Sequence, residues 1–108
     1  MNRYVIEGVR ADALAGKRVL VVPDSLRDAE QLFAACAEHD LVDRVTRTNG
    51  RQSVEYKTGG AVVVRRSDGV RGMSDDVVVL GTSLGLIQEV VTDAIRATTA
   101  GSGEVVRL

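Results

Sequence analysis

The sequence predicts an α/β fold: a mostly parallel central sheet flanked by helices, with an antiparallel β-hairpin annex. Three observations carry this. Lys17 to Val22 and Val77 to Gly81 are apolar runs without alternation, as in strands covered on both faces of a parallel sheet. Asp24 to Asp40 places Leu26, Ala29, Leu32, Phe33, Cys36 and Ala37 at helical spacing. The middle of the chain alternates in polarity around Asn49-Gly50 and Gly59-Gly60, which supply the positive φ that tight hairpin turns need.

In chain order, Arg3 to Glu7 reads as a short β-prone run broken by Gly8. Val9 to Gly16 reads as two helical turns closed by Gly16. Lys17 to Val22 is the first buried strand, ended by Pro23. Asp24 or Ser25 then caps a helix, since either can accept from its free amides. Strand, helix and strand make a βαβ unit. Three short antiparallel strands follow, near Arg44 to Thr48, Gln52 to Lys57 and Ala61 to Arg66. In the second, Val54 and Tyr56 face one way and Ser53, Glu55 and Lys57 the other. After a loop come the strand Val77 to Gly81, a helix from Leu86 to Ala100 and a last strand at Glu104 to Leu108.

The 108 residues suit one domain with one core. The chain is 44% hydrophobic and 27% charged with a net charge of -1, which is ordinary for a soluble protein and not that of a strongly basic nucleic-acid binder. Aromatics at 3% are too few for base-stacking platforms. With Cys36 and His39 single of their kinds, neither an intramolecular disulfide nor a Cys-His metal site is expected. No apolar run approaches the ~18 residues of a membrane span, and the N-terminus has no signal-peptide stretch. A soluble cytoplasmic protein is expected.

Two motif families bear on chemistry. A phosphate-binding loop needs G-x-x-x-x-G-K-[ST] between a strand and a helix. Here the one Gly-Lys pair, Gly16-Lys17, precedes a strand; Ala11 stands at the first glycine and Arg18 at the hydroxyl position. A hydrolase triad of Ser25, Asp24 and His39 fails on spacing, since one helix separates Ser25 from His39 by about 20 Å.

The order of the Ala15-Gly16 turn, a Val-rich strand and a helix, then an Asn-Gly turn, a hairpin, the Arg71-Gly72 loop and the Val77 strand, resembles the RecA-like ATPase core of phage large terminase subunits and, more loosely, of helicases. The resemblance covers most of the chain and implies a RecA-like P-loop-type core. It would make Tyr4 to Gly16 the phosphate-loop strand and helix, cut down around Gly8. It would make Val77 to Gly81 the Walker B strand, which in that family ends in an acidic pair. Here Gly81 and Thr82 stand there instead. Asp75 and Asp76 lie at the strand's other end, more than about 15 Å away at ~3.3 Å per residue. The resemblance therefore implies one truncated, degenerate domain over residues 1–108 that has lost nucleotide hydrolysis and needs no cofactor.

The function expected is a non-catalytic interaction module, phage- or prophage-encoded. It would act by self-association or by binding a protein partner such as a terminase or helicase, through the hairpin (Gln52 to Arg66) and Arg71-Gly72. The alternative is non-specific nucleic-acid binding through a basic hairpin, with Arg47, Arg51, Lys57, Arg65, Arg66 and Arg71 on phosphates. A nucleotide sensor is a third reading, and it lacks a phosphate pocket.

Overall fold

The computed structural model describes residues 2–48, 51–65 and 76–81, and the backbone of 104–107. Over these residues the order is α1 (Arg3–Leu14), β1 (Arg18–Val22), α2 (Leu26–Ala37), β2 (Val42–Thr46), β3 (Ser53–Tyr56), β4 (Ala61–Val64), β5 (Val77–Leu80) and β6 (Glu104–Arg107). The six strands form one sheet in the order β2-β3-β4-β1-β5-β6. Strand β1 pairs parallel with β4 and β5, and β5 pairs parallel with β6. The β2–β3 and β3–β4 neighbours are antiparallel.

This corrects the expected RecA-like core in three respects. The hairpin is no annex: β2, β3 and β4 are half of one continuous mixed sheet, and β4 itself pairs with β1. Both described helices pack against the same side of that sheet, over Val19, Val21, Val62 and Val64, so this part of the fold has no helix pair flanking it on two sides. The first strand is missing as well. Residues 3–14 are one helix, so Tyr4 to Gly16 cannot be a phosphate-loop strand and its helix. The helix expected over 86–100 lies outside the described residues.

Tertiary packing decides α1. Val9 and Ala13 are buried, and Val5, Ile6 and Leu14 pack partly buried against the same core, which is one helical face. Asn2 caps the helix by accepting from Tyr4 N–H at 2.7 Å, and Gly16 leaves it at φ +96°. Gly8, which reads locally as a breaker, sits on the exposed side with open space where a Cβ would go. Gly8→Ala is therefore expected to stabilise the protein by about 0.5–1 kcal/mol, measurable as a higher urea midpoint.

Helix α2 starts at Ser25, whose hydroxyl accepts from Asp28 N–H at 3.2 Å, an arrangement worth about 1 kcal/mol. Its buried face is Ala29, Leu32, Phe33 and Cys36. Leu26, expected on that stripe, is 71% exposed. It is the first helical residue, and the helix has not yet come over the sheet.

Strand β2 shows how a short pattern sets geometry. Val42-Asp43-Arg44-Val45 puts its valines three apart, which a regular strand would send to opposite faces. A register shift between Val42 and Arg44 resolves this: Val42 faces Tyr56, Arg44 faces Glu55 and Val45 faces Val54. The extra residue lets both valines pack against the helix-covered core. Strands β1, β4 and β5 are buried throughout from Val19 onward, including Leu20, Val63, Val78 and Leu80 of the face turned away from α1 and α2.

Candidate functional site

The topology gives the domain two distinct ends. At the lower end, α1 finishes against the β3–β4 turn, where the Thr58 hydroxyl donates to Ala13 O at 3.3 Å. The C-terminal turn of α2 lies there too, since the Tyr56 hydroxyl donates to Cys36 O at 2.6 Å. At the upper end are the C-termini of β1, β4 and β5 and the first turns of both helices. In parallel α/β sheets this is the end that meets ligands.

Three arginines expected on a basic hairpin gather at the upper end. Thr46 faces Ser53 and Ser53 faces Val63 in register, so Arg47, Arg51 and Arg65 all follow or precede strand ends at that level. The Arg51 N–H donates to Thr48 O at 2.9 Å, holding the β2 and β3 ends together. Each arginine has a different environment. Arg65 donates from Nη1 to Gln52 O at 3.1 Å and to Val64 O at 2.8 Å, clasping β3 to β4. The Arg47 guanidinium lies 5.3 Å from the Phe33 ring centre on α2, a cation–π contact. Arg51 is exposed.

Lys57 does not join them. It occupies the β3–β4 turn at the lower end, with its N–H donating to Leu41 O at 2.8 Å. A hairpin separates its turn from its open end, so the expected single patch is split between two ends. Arg66 and Arg71, like Thr82 and Asp75, lie outside the described residues.

The upper end also holds side chains that sequence reasoning did not single out as exposed. Tyr4 is 70% exposed and Leu26 is 71% exposed, one on the first turn of each helix. Arg3 lies with its guanidinium 5.1 Å from the Tyr4 ring centre and donates to the Tyr4 hydroxyl at 3.3 Å. Helical periodicity marks Leu26 as apolar; that it overhangs the sheet end is visible only in the fold. Asp24 packs against Gly81, where an added Cβ would come 2.5 Å from the Asp24 carboxylate oxygen and 2.7 Å from its backbone nitrogen.

Among the described residues, Asp76, Ser25 and His39 each make a local hydrogen bond to the backbone. Asp76 accepts from Arg18 N–H through Oδ2 at 2.9 Å, while its own N–H donates to Arg18 O at 2.9 Å, fastening the start of β1 to β5. Ser25 caps α2 at the upper end; His39 follows the other end, where Nδ1 accepts from Leu41 N–H at 3.0 Å. Among the described residues no three His, Cys, Asp or Glu side chains converge as a metal cluster would require, and no helix is long and apolar enough to cross a membrane.

Cys36 is fully buried beside Tyr56, and burial pushes its thiol up to about 11 despite the opposing Tyr56 hydrogen bond and the Arg10 charge. Burial raises the Tyr56 hydroxyl as well, with Cys36 adding to the effect. Both groups are therefore neutral in the fold, while an unfolded thiol ionises near pH 9. Between about pH 9 and 11 the unfolded state gives up its proton first. The stability contributed is complete below pH 9 and is lost as pH rises through that window. Melting temperature is expected to fall steeply from pH 9 to 10.5, and less steeply in Cys36→Ala. At pH 8 the native thiol should resist alkylation until urea unfolds the chain.

No family model, curated protein or solved structure matches this chain.

Proposed function

We propose that this protein is a non-catalytic interaction module that works by self-association or by binding a protein partner. The observation that carries the reading is the pair of large exposed side chains, Tyr4 and Leu26, at the start of two packed helices and at the same end as Arg47 and Arg51. Tyrosine and arginine are the residue types most enriched where protein interfaces carry their binding energy. The helix over residues 3–14 supports a role without nucleotide hydrolysis, because it stands where a phosphate-loop strand would be needed. The order of Asn49-Gly50, the hairpin, Arg71-Gly72 and the Val77 strand supports a phage or prophage source. The site of action would then be the host cytoplasm.

A photo-crosslinking amino acid at position 26, with position 30 as an exposed control on the same helix, tests this in cells. A discrete protein adduct, or an adduct to a second copy, is expected from position 26 and not from position 30. Equal labelling from both positions contradicts the reading.

A second reading, non-specific nucleic-acid binding, is favoured by one observation: Arg47, Arg51 and Arg65 share an end of the domain. Two of them already make intramolecular contacts. Fluorescence titration of a labelled oligonucleotide should then show weak binding whose salt slope corresponds to roughly three phosphates or fewer. Under this reading Arg51→Ala weakens binding across all sequences; no change in binding contradicts it.

A further inference from the structure

We propose that the partner seated on Tyr4 and Leu26 presents an acidic protein segment, in which a bulky apolar side chain is flanked by aspartate or glutamate. The proposal rests on the interaction reading above and gives its partner a chemistry.

The two apolar anchors stand at a basic end of the domain. Arg3 lies against the Tyr4 ring, Arg27 follows Leu26 and is exposed, and Arg47, Arg51 and Arg65 reach the same level from the strand ends. Among the described residues two acids belong to this end. Asp24 holds its carboxylate against Gly81, at the end of β5. Asp28 is in the first turn of α2, where the positive end of the helix dipole offsets its charge. Glu7 and Glu30 come one turn further along the two helices. The lower end shows no such excess, since Lys17, Arg18 and Lys57 stand with Glu38, Asp40 and Asp76.

One anchor and one cation share a side of α2. Leu26 and Phe33 are two helical turns apart on that side, with Glu30 offset from the line between them. The Arg47 guanidinium lies 5.3 Å from the Phe33 ring centre. A segment packed along this side meets Leu26 and then Arg47 about 10 Å further on, a span of roughly three residues of extended chain. An apolar residue with carboxylates a few positions away uses both contacts. A phosphate backbone would use the arginines alone and leave Leu26 without a role.

The test selects a yeast-displayed random peptide library on the purified full chain. Enriched peptides are synthesised and titrated against wild type, Leu26→Ser and Arg51→Glu, with circular dichroism and melting showing that both variants are folded. The enriched sequences should share a bulky apolar residue with an excess of aspartate and glutamate close to it. Binding should fall by about tenfold or more in Leu26→Ser, and should weaken in Arg51→Glu and with added salt. Apolar sequences without an acidic excess, lost in Leu26→Ser, overturn the acidic partner and leave the interaction reading standing. Acidic sequences bound equally by wild type and Leu26→Ser overturn both, and their displacement by a single-stranded oligonucleotide would assign this end to nucleic acid. Failure to enrich any peptide also overturns the proposal, and leaves a second copy of the chain as the occupant.

Discussion

Gly60→Ala is expected to destabilise the protein by at least about 3 kcal/mol, or to prevent folding. Gly60 lies in the connection between β3 and β4, buried where the end of α1 crosses the start of β1. A Cβ there would overlap the carbonyl oxygen of Ala13 and stand 2.7 Å from its carbon and 2.8 Å from Lys17 O. All three are backbone atoms, so no side-chain rotation relieves the clash. The helix must lift or the hairpin must tilt. Either movement breaks the Tyr56 N–H to Gly60 O bond at 2.9 Å and the Ala61 N–H to Lys17 O bond at 3.1 Å. Urea unfolding of Gly60→Ala beside Gly8→Ala gives a paired test, because the same substitution should act with opposite sign at the two glycines.

The second large effect is expected at Leu20. It is the central residue of the central strand, fully buried, with Val63 and Val78 as its partners on either side. Leu20→Ala removes three carbons from a close-packed site whose neighbours are held by backbone pairing and cannot collapse into the space. A loss of about 3–5 kcal/mol follows. That is a large share of the roughly 5–15 kcal/mol of stability usual for a domain. Leu41→Ala provides the contrast, since Leu41 is 41% exposed and should cost about 1 kcal/mol or less. Equal losses at the two leucines would mean that β1 is not the centre of the sheet.

The parts of the fold that were legible in the sequence are those whose local pattern and burial agree. Val19 to Val22 and Val77 to Leu80 read as doubly covered strands because every position is apolar, and every one is buried. Val54 and Tyr56 alternate with polar neighbours and are buried in alternation. The turns from Val9 to Leu14 and their close at Gly16 were legible, but the first half of the helix, Arg3 to Gly8, was not. Val5 and Ile6 carry β preference and Gly8 suggests a break, while the helix is held by packing of Val9 and Ala13 against a core that includes β4, which is distant in sequence. The place of the hairpin in the sheet was hidden for a similar reason, since nothing local to Ala61–Val64 specifies pairing with Arg18–Val21.

The candidate site divides in the same way. The arginines were legible as residues, and a hairpin's geometry separates Lys57 from Arg51 and Arg65. Tyr4 and Leu26 were not legible as exposed, because periodicity assigns an apolar residue to a helix face without saying where the sheet beneath it ends. The bulge at Asp43 can be read backwards from Val42 and Val45, once both are seen to pack against one core.

Binding through the exposed start of the two helices is the property on which the proposed function stands. The most direct measurement is recovery of partners from a nuclease-treated lysate of cells expressing the protein, comparing tagged wild type with Tyr4→Ser/Leu26→Ser, a variant that should fold normally because both positions are exposed. A discrete protein, or an untagged copy of the same chain, should be recovered with wild type and lost with the variant. Identical recovery with both would contradict this, as would recovery that disappears altogether on nuclease treatment.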